Sequence, residues 1–490
     1  MSIHVLDDNS LLNIFYLYRP AIFDGDEGYV ERIRGGRVWD RERWWYKLAQ
    51  VCQRWRDVLL GSPSHLNLCL FCTYGTPVAD MLAHSPPFPL VMEYFHANGN
   101  VAAEDEKGII LALKQHNRVR RVRIRIFASK LQKLVVAIDG EYPVLEYLIL
   151  HPPKQDKSTA LMLPKALQAP RLRHLMLKGF ALPIGSQLLT NAASIVTLCL
   201  HVNHPDAHFQ PNTLLQWLSF MPQLQTLVII FFFPVPNHDV LTPTISRLSG
   251  LTLWSLPNLR FLVLQGGSAY LEAVLRRINT PCLEKLDIWF FKQLTFSVPC
   301  LQRFIQTATN LMFDTAKFEF CRDLVYAGVY VREEIAIAQI KMIPLLMAVH
   351  SWHLDWQVSS VAQIFNSLGQ VLSTVENLTL EHREHSLSSE EHNEVDRSEW
   401  RKLLRSFSKV KTLRVSDGLV GGVSRSLQLE DGEDPLELLP ELQSLIYSGI
   451  GDSDPGDAFT SFIDARQNSG HPVTVVRPNA RPATPEIWDW

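Results

Sequence analysis

The chain has 490 residues, of which 47% are hydrophobic, and a formal net charge of −3. This length predicts two or more structural units or one elongated repeat domain, and the composition is sufficient for a large core. The small net charge gives no reason to expect nucleic acid or an anionic membrane as a partner. The seven cysteines are scattered without a framework, which indicates a reducing compartment.

The N-terminal residues and the apolar runs predict a protein of the cytosol, the nucleus or both. Asp7 and Asp8 interrupt the start of the chain, so we expect no signal peptide there. The longest apolar run, Leu227 to Phe233, is far shorter than the ~20 residues that span a bilayer, and no membrane contact is expected. Because this run is apolar at every position, it is typical of a parallel strand buried on both faces.

Two apolar helical stripes lie near the N-terminus. The first consists of Leu11, Leu12, Phe15 and Tyr18 and follows polar residues that could cap a helix. The second predicts one helix from Arg43 to Leu60, stopped by Gly61 and Pro63. Its apolar residues recur at the spacing of one helix face: Trp44, Leu48, Val51, Cys52, Trp55, Val58 and Leu59.

These two stripes resemble the F-box, the short helical module that holds a Skp-type adaptor within cullin-based ubiquitin ligases. The resemblance is carried by residues 5–15 (VLDDNSLLNIF) and 48–56 (LAQVCQRWR). Asp7 stands where the family usually has proline, and the connector between the stripes is longer than in the compact module. We expect this connector to be a surface insertion at about residues 19–43.

The resemblance implies an adaptor-binding surface, although some of its residues must form the core of the module itself. In this sequence the surface falls on Leu6, Leu11, Leu12, Ile14, Phe15, Leu48, Val51, Cys52 and Trp55. The alternative is an ordinary helical pair packed on the larger domain. Beyond these helices, the sequence predicts a strand over residues 66–72, a short helix over 77–84, a strand over 90–95 and a helix over 103–116.

From about residue 119 onward, one pattern recurs: apolar, two variable residues, apolar, one variable residue, apolar, often after a proline. Its first apolar positions are residues 119, 145, 172, 195, 224, 259, 283, 313, 349, 375, 410 and 442. Spacings of this size are typical of leucine-rich repeats, in which each unit is a strand followed by a helix or loop. The last two apolar residues of each copy are expected to point into the core.

Together with residues 66–77 (LNLCLFCTYGTP), these repeats extend the resemblance to F-box proteins with irregular leucine-rich repeats, a type abundant in basidiomycete fungi. The predicted fold class is α/β: an N-terminal helical F-box followed by an irregular leucine-rich-repeat solenoid with a curved parallel sheet. We expect the module at residues 1–65, a linking segment at 66–117, the solenoid at 118–477 and a proline-rich extended tail at 478–490.

The variable residues beside the core leucines are expected on the concave face of the solenoid. They are mostly apolar before residue 263 and mostly polar from residue 287 onward. We therefore predict an apolar patch, Val228, Ile230, Phe261, Val263 and Trp289, with a polar rim of Lys285, Asp287, Lys317 and Glu319, that binds a protein substrate. The alternative is that helices or loops of the chain itself cover the patch.

Three arginines alternate with apolar residues in the first repeat. Arg121, Arg123 and Arg125 are expected on one face of a strand. They could pair bidentately with a phosphorylated or acidic peptide. The alternative is a solvated row of charges.

Sites for metals, cofactors and catalysis are not predicted. Cys69 and Cys72 form a lone C-x-x-C, and residues three apart on a strand point to opposite faces. The sequence contains no phosphate-binding loop, H-E-x-x-H or G-x-S-x-G motif.

The sequence favours the interpretation that the chain is a non-catalytic substrate receptor. Such a receptor binds a Skp-type adaptor, through it a cullin, and an unknown protein substrate. The alternative is a ubiquitin-independent repeat scaffold whose N-terminal helices cap the solenoid.

Overall fold

The computed structural model describes residues 6–18, 44–95, 99–153, 160–183, 185–234, 253–308, 310–331, 343–383, 395–430, 432–447 and 458–476. The predicted insertion at residues 19–43 and the predicted tail at residues 478–490 lie outside these ranges. By its internal contacts the chain divides into two units, Met1–Leu177 with Leu182–Ala192, and Lys178–Ala181 with Ala193–Trp490. Within the described ranges, no helix is long and apolar enough to cross a membrane.

The first unit combines helices with a parallel sheet. Its helices are α1 (Asp8–Tyr18), α2 (Trp44–Ala49), α3 (Gln53–Gly61), α4 (Val78–His84), α5 (Ala103–Leu113), α6 (Ala128–Ala137) and α7 (Gln187–Thr190). Its strands are β1 (Leu70–Cys72), β2 (Leu90–Phe95), β3 (Val119–Arg125), β4 (Tyr147–Leu150), β5 (Leu161–Met162) and β6 (His174–Lys178). In the sheet the strand order is β1-β2-β3-β4-β6, with every neighbouring pair parallel.

The linking segment of the first unit follows the sequence prediction, with three elements shorter than predicted. The strand β2 matches its predicted range, α4 begins one residue later than predicted, and α5 ends three residues before the predicted end at His116. The strand predicted over residues 66–72 begins only at Leu70. Asn67 adopts a left-handed backbone conformation with φ of 54°, which is incompatible with a strand.

The second unit contains the larger sheet. Its helices are α8 (Pro211–Leu218), α9 (Ser268–Leu275), α10 (Pro299–Thr307), α11 (Leu354–Ser367), α12 (Arg397–Arg405), α13 (Asp417–Leu427) and α14 (Thr460–Asn468). Its strands are β7 (Phe180–Ala181), β8 (Thr197–Val202), β9 (Thr226–Phe231), β10 (Trp254–Ser255), β11 (Phe261–Gly266), β12 (Ile278–Asn279), β13 (Lys285–Phe290), β14 (Thr315–Phe320), β15 (Leu324–Tyr330), β16 (Leu345–His350), β17 (Asn377–His382), β18 (Thr412–Val415), β19 (Ser444–Tyr447) and β20 (Thr474–Val476). The main sheet has the order β8-β9-β11-β13-β16-β15-β14-β17-β18-β19-β20.

This sheet is mostly parallel, as the sequence predicts, but one strand departs from the predicted parallel arrangement. The strand β15 runs antiparallel to both of its neighbours, β14 and β16. Three residues, Cys321 to Asp323, join β14 to β15. A connection this short permits a hairpin but not the crossover that parallel neighbours require. As a consequence β16, and not β14, pairs with β13.

The predicted repeat at residue 349 is also wrong. The strand in this region is β16, which ends at His350, and His353 precedes the helix α11. From Leu354 onward the apolar residues recur at helical spacing, with Leu354, Val358 and Val361 buried. The sequence pattern at residue 349 therefore combined the end of a strand with the start of a helix. The other copies of the pattern coincide with strands of the two sheets.

Alternate residues of the strands are buried against the helices. In β9, Leu227, Ile229 and Phe231 are buried, and the ring of Phe231 lies 4.8 Å from that of Tyr270 on α9. Elsewhere in the second unit, Phe318 of β14 contacts Phe365 of α11 at 4.8 Å and Phe407 at 5.9 Å between ring centroids. The remaining residues of each strand point to the other side of the sheet, which we call the front face.

The C-terminal end of the second sheet is fixed by a buried arginine. The last strand, β20, pairs in parallel with β19. Arg466 of α14 donates hydrogen bonds to the carbonyl oxygens of Leu439, Pro440 and Leu442 at 3.2, 3.1 and 3.0 Å. These bonds hold the last helix against the segment that precedes β19.

Replacement of Phe318 by alanine tests the aromatic cluster under the sheet. Phe318 is fully buried, so Phe318→Ala should lower the free energy of unfolding by about 3–5 kcal/mol. Leu294→Ala is the control, because Leu294 is 87% exposed and its loss should change stability by less than about 0.5 kcal/mol. Urea unfolding followed by tryptophan fluorescence measures both. Equal effects of the two substitutions would contradict this assignment of the core.

Candidate functional site

Part of the predicted adaptor-binding surface forms the core of the N-terminal helices. Leu11 and Phe15 of α1 are fully buried, as is Leu59 of α3. The ring of Phe15 lies 4.9 Å from that of Trp55 in an edge-on arrangement. These contacts join α1 to α3, so Leu11 and Phe15 are not available to a partner in this arrangement.

Other predicted residues of this surface are exposed. Ile14 is 44% and Val51 is 58% exposed, and both are apolar. Leu17, which the sequence prediction did not include, is 81% exposed and lies three residues after Ile14 on α1. The remaining predicted residues are partly buried, namely Leu6, Leu12, Leu48, Cys52 and Trp55. The structure therefore separates the predicted set into core residues and exposed residues.

The predicted single helix from Arg43 to Leu60 is wrong, because the chain breaks between α2 and α3. Cys52 adopts an extended conformation, with φ of −160° and ψ of 170°. The break allows Trp45 of α2 to contact Phe88 at 6.0 Å while Trp55 of α3 contacts Phe15. A single straight helix would have to bring Trp45 to Phe88 and Trp55 to Phe15 without a change of direction.

Polar contacts fix the start of α1 against α3. The side chain of Asp7, which stands where proline is usual in the F-box, accepts a hydrogen bond from the amide of Ser10 at 2.7 Å and so caps α1. This hydrogen bond lowers the pKa of the Asp7 carboxyl. Arg54 forms an ion pair with Asp8 at 2.9 Å and donates to the carbonyl oxygen of Leu6. Asp7 therefore caps α1, although it departs from the proline that is usual at this position.

The front face of the second sheet brings together seven of the nine predicted substrate-binding residues. They lie on β9, β11 and β13, whose parallel pairing aligns them across the sheet. The aligned rows are Thr226–Phe261–Lys285, Val228–Val263–Asp287 and Ile230–Gln265–Trp289. Val228 is buried, whereas Ile230, Phe261, Val263 and Trp289 are partly exposed.

The predicted polar rim is not arranged as a rim. Asp287 lies between Val263 and Leu346 in its row and is buried. Lys317 and Glu319 are also buried, and the strands β16 and β15 separate them from β13. The hairpin of β14 and β15, which the repeat pattern does not predict, is the reason for this separation. The role of these residues in binding stays a prediction.

Buried charges on this face are paired within the sheet. The amine of Lys317 lies 2.7 Å from the carboxylate of Glu381 and 3.5 Å from that of Glu319, which also pairs with Arg383. On β13, the amine of Lys285 lies 3.2 Å from one carboxylate oxygen of Asp287.

The ion pair with Lys285 uses only one of the two carboxylate oxygens of Asp287. Its second oxygen, Oδ1, is buried and makes no hydrogen bond to any described residue. Burial raises the pKa of the Asp287 carboxyl to about 6, although Lys285 acts in the opposite direction. The carboxylate form of Asp287 is therefore costly within the fold.

Trp289 has two aromatic neighbours that the sequence did not predict. The ring of Tyr326 on β15 lies 5.7 Å away at an interplanar angle of 87°, and the ring of His350 on β16 lies 6.3 Å away. Burial raises the pKa of Tyr326 to about 12 and lowers the pKa of His350. A pairing order that follows the chain would place β14, and not β16, beside β13, so the sequence pattern did not point to His350 as a neighbour of Trp289.

An aromatic and basic extension continues the row of Ile230 toward β8. His201 is the register neighbour of Ile230, and its ring lies 6.2 Å from that of the exposed Phe232. The amine of Lys178 lies 5.6 Å from the Phe232 ring centroid. Burial lowers the pKa of His201 to about 4, and Lys178 adds to this effect, so the imidazole is neutral at neutral pH.

The three arginines of β3 share the front face of the first sheet, as their alternation predicts. They are partly buried, and each guanidinium group lies over an aromatic ring. The guanidinium carbon of Arg121 is 4.5 Å from the ring centroid of Tyr147. Those of Arg123 and Arg125 are 4.1 and 5.4 Å from the ring centroid of Phe95. The row is packed against the sheet and is not a line of solvated side chains.

Metal-binding side chains are not grouped in the described part of the chain. No cluster of three or more histidine, cysteine, aspartate or glutamate residues there could hold a metal ion. Cys72 is buried on β1, and Cys69 is buried beside it.

Comparison with known proteins adds little to this description. The sequence matches no protein family and no curated protein. Among solved structures it is similar to a leucine-rich repeat-containing protein, LegL7 from Legionella pneumophila, at 12% sequence identity over 82% of this chain and 98% of that chain, with a TM-score of 0.25. A similarity this weak carries no argument, so the repeat architecture rests on the strands and helices described above. The F-box resemblance stays a prediction.

The buried carboxyl of Asp287 predicts a pH-dependent stability. Because its pKa is raised from 3.8 to about 6, the folded state binds the proton more tightly, and its contribution is lost as the pH rises from about 4 through 6. Relative to Asp287→Asn, the wild type should lose about 3 kcal/mol over this interval, from ~1.4 kcal/mol per pKa unit. Thermal unfolding of both proteins between pH 4 and about 8 measures this difference. Parallel pH profiles would refute it.

Proposed function

We propose that this chain is a non-catalytic substrate receptor of a Skp–cullin–F-box type ubiquitin ligase in the cytosol or nucleus. In this proposal the N-terminal helices bind a Skp-type adaptor, and through it a cullin, while the repeat sheet binds a protein substrate. The observation that carries the proposal is the exposure of Ile14, Leu17 and Val51 on a helical module whose own core is already closed.

The exposed apolar side chains lie outside the closed core of the module. Leu11, Phe15 and Leu59 fill the space between α1 and α3. Ile14 and Leu17 lie three residues apart on α1, so they share one helix face. Large apolar side chains that are grouped on a surface mark sites of protein interaction. An adaptor that covers this face would remove them from water.

The front face of the second sheet has the chemistry of a protein-binding surface. Trp289, Phe261 and Ile230 are partly exposed on adjacent strands, and Phe232 is exposed at the end of β9. Aromatic side chains that are held rigidly by neighbours are the usual anchors of protein interfaces. The edge-on contact of Trp289 with Tyr326 supplies such rigidity.

A second function, a repeat scaffold that acts without ubiquitination, is favoured by the packing of α2. Tyr46 packs against a buried cluster of Cys69, Phe71 and Val91 on the front face of the first strands. Trp45 is buried and contacts Phe88. In this alternative the helices serve as a cap that hides the edge of the sheet, as terminal elements of repeat proteins do.

Adaptor binding separates the two functions. In the substrate-receptor proposal the full chain should copurify with a Skp-type adaptor, and the double variant Ile14→Asp, Val51→Asp should bind it at least about tenfold more weakly, because charges replace buried apolar contacts. Asn13→Asp is the matched control, since Asn13 is a polar, exposed residue of the same helix. Affinity is measured by calorimetry, with circular dichroism as the test of folding. Absence of adaptor binding by the wild type would favour the scaffold.

Substrate capture is expected to depend on the front face of the second sheet. The double variant Trp289→Ala, Phe261→Ala should lose bound substrates, with a cost of about 2 kcal/mol or more per anchor, and keep adaptor affinity. Proximity labelling in cells compares its partners with those of wild type and of Leu294→Ala, a control at an exposed apolar residue. An unchanged set of partners would show that this face does not bind the substrate.

A further inference from the structure

On the front face of the first sheet, arginine guanidinium groups lie over aromatic rings. The guanidinium carbon of Arg121 lies 4.5 Å from the ring centroid of Tyr147. The Tyr147 ring stacks on that of His174, with 4.3 Å between ring centroids and 11° between ring planes. Stacking fixes the plane of a guanidinium group while its N–H groups point outward along the edge. In this state the group is preorganised to bind an oxyanion bidentately.

Arg123 and Arg125 converge on a single ring, that of Phe95. Their guanidinium carbons lie 4.1 and 5.4 Å from its centroid. Arg123 also pairs with Glu93 at 3.1 Å, whereas the buried Nε of Arg125 makes no hydrogen bond to any described residue. Two like charges held over one ring repel each other, Glu93 offsets part of this repulsion at Arg123, and an anion that contacts both guanidinium groups would offset more of it.

We propose that this face binds a phosphorylated segment of a protein partner, with the phosphate held by Arg123 and Arg125. A phosphate group carries a charge of about −2 at neutral pH and three acceptor oxygens, so it can serve two guanidinium groups at once. A carboxylate has two oxygens and matches one arginine fork. Phosphate therefore fits the convergent pair better than an acidic side chain.

Arg121 extends the site along the strand. It lies four residues before Arg125 on β3, a distance of roughly 13 Å at ~3.3 Å per residue. An extended peptide that follows β3 can thus place a second acidic group over Arg121. This inference rests on the proposed function only in that the ligand is a protein segment, and it is independent of adaptor binding.

The test uses the full chain and a peptide array. The probes are degenerate peptides with a central phosphoserine, phosphothreonine or phosphotyrosine, each with an unphosphorylated twin and a glutamate twin. Binding of the hits is then measured by fluorescence polarisation. We expect the phosphopeptides to bind at least about tenfold more tightly than either twin, because only they supply three oxygens to the arginine pair.

Conservative variants locate the site. Arg123→Lys with Arg125→Lys keeps both charges and removes both forks, and it should weaken phosphopeptide binding by about tenfold or more. Arg171→Lys, at an exposed arginine of the same unit, should have no effect. Circular dichroism and the adaptor affinity of each variant show whether the chain is still folded. Loss of phosphopeptide binding with intact adaptor binding supports this site without bearing on the N-terminal helices.

Five results would overturn the proposal. Equal binding of the glutamate twins would identify acidic peptides as the ligands, and equal binding of the unphosphorylated twins would remove the anion from recognition. Unchanged affinity in the lysine double variant would place the site elsewhere. Failure of every phosphopeptide to bind, or their displacement by single-stranded RNA at lower concentration, would also exclude a phosphopeptide site on β3.

Discussion

The strand register is the constraint on which both sheets and both candidate surfaces depend. Leu262 pairs with Leu286 and Leu264 with Ile288, so the buried side chains of neighbouring strands form continuous layers under the helices. The residues between them are brought together on the front face by the same pairing. A shift of one residue in any strand would exchange the two faces. The apolar core therefore determines where Phe261, Val263 and the other front-face residues lie.

The hairpin of β14 and β15 changes the front face more than any other feature. It places Tyr326 two strands from Trp289 and moves Lys317 and Glu319 away from Asp287. Burial of these charges has an energetic cost that pairing must offset. Lys317 meets this requirement through Glu319 and Glu381, so the charges serve the packing of this part of the sheet. The part of the front face beside β13 that stays partly exposed is centred on Trp289 and Phe261.

The repeat pattern predicts local features well and the order of strands less well. Because the spacing of leucines fixes which side chains of a strand are buried, it correctly placed Val228, Ile230 and Trp289 on one face. The pattern cannot show that β15 inserts between β14 and β16, since the residues of β15 do not carry it and pairing partners are chosen by tertiary contacts. The break at Cys52 escaped prediction for a related reason, because Phe88, the contact of Trp45, lies far along the chain.

The N-terminal helices show that one apolar stripe cannot be both a core and an interface. Helical spacing grouped Leu11 and Phe15 with residues that are exposed in the structure. Both are in fact buried in the core of the module, where Phe15 packs on Trp55. The cap formed by Asp7 and the ion pair of Arg54 with Asp8 then fix how α1 is seated on α3. With that seating, Ile14 and Leu17 face outward. An adaptor would therefore contact a narrower surface than the sequence resemblance implies, and that surface would include Leu17, which lies off the predicted stripe.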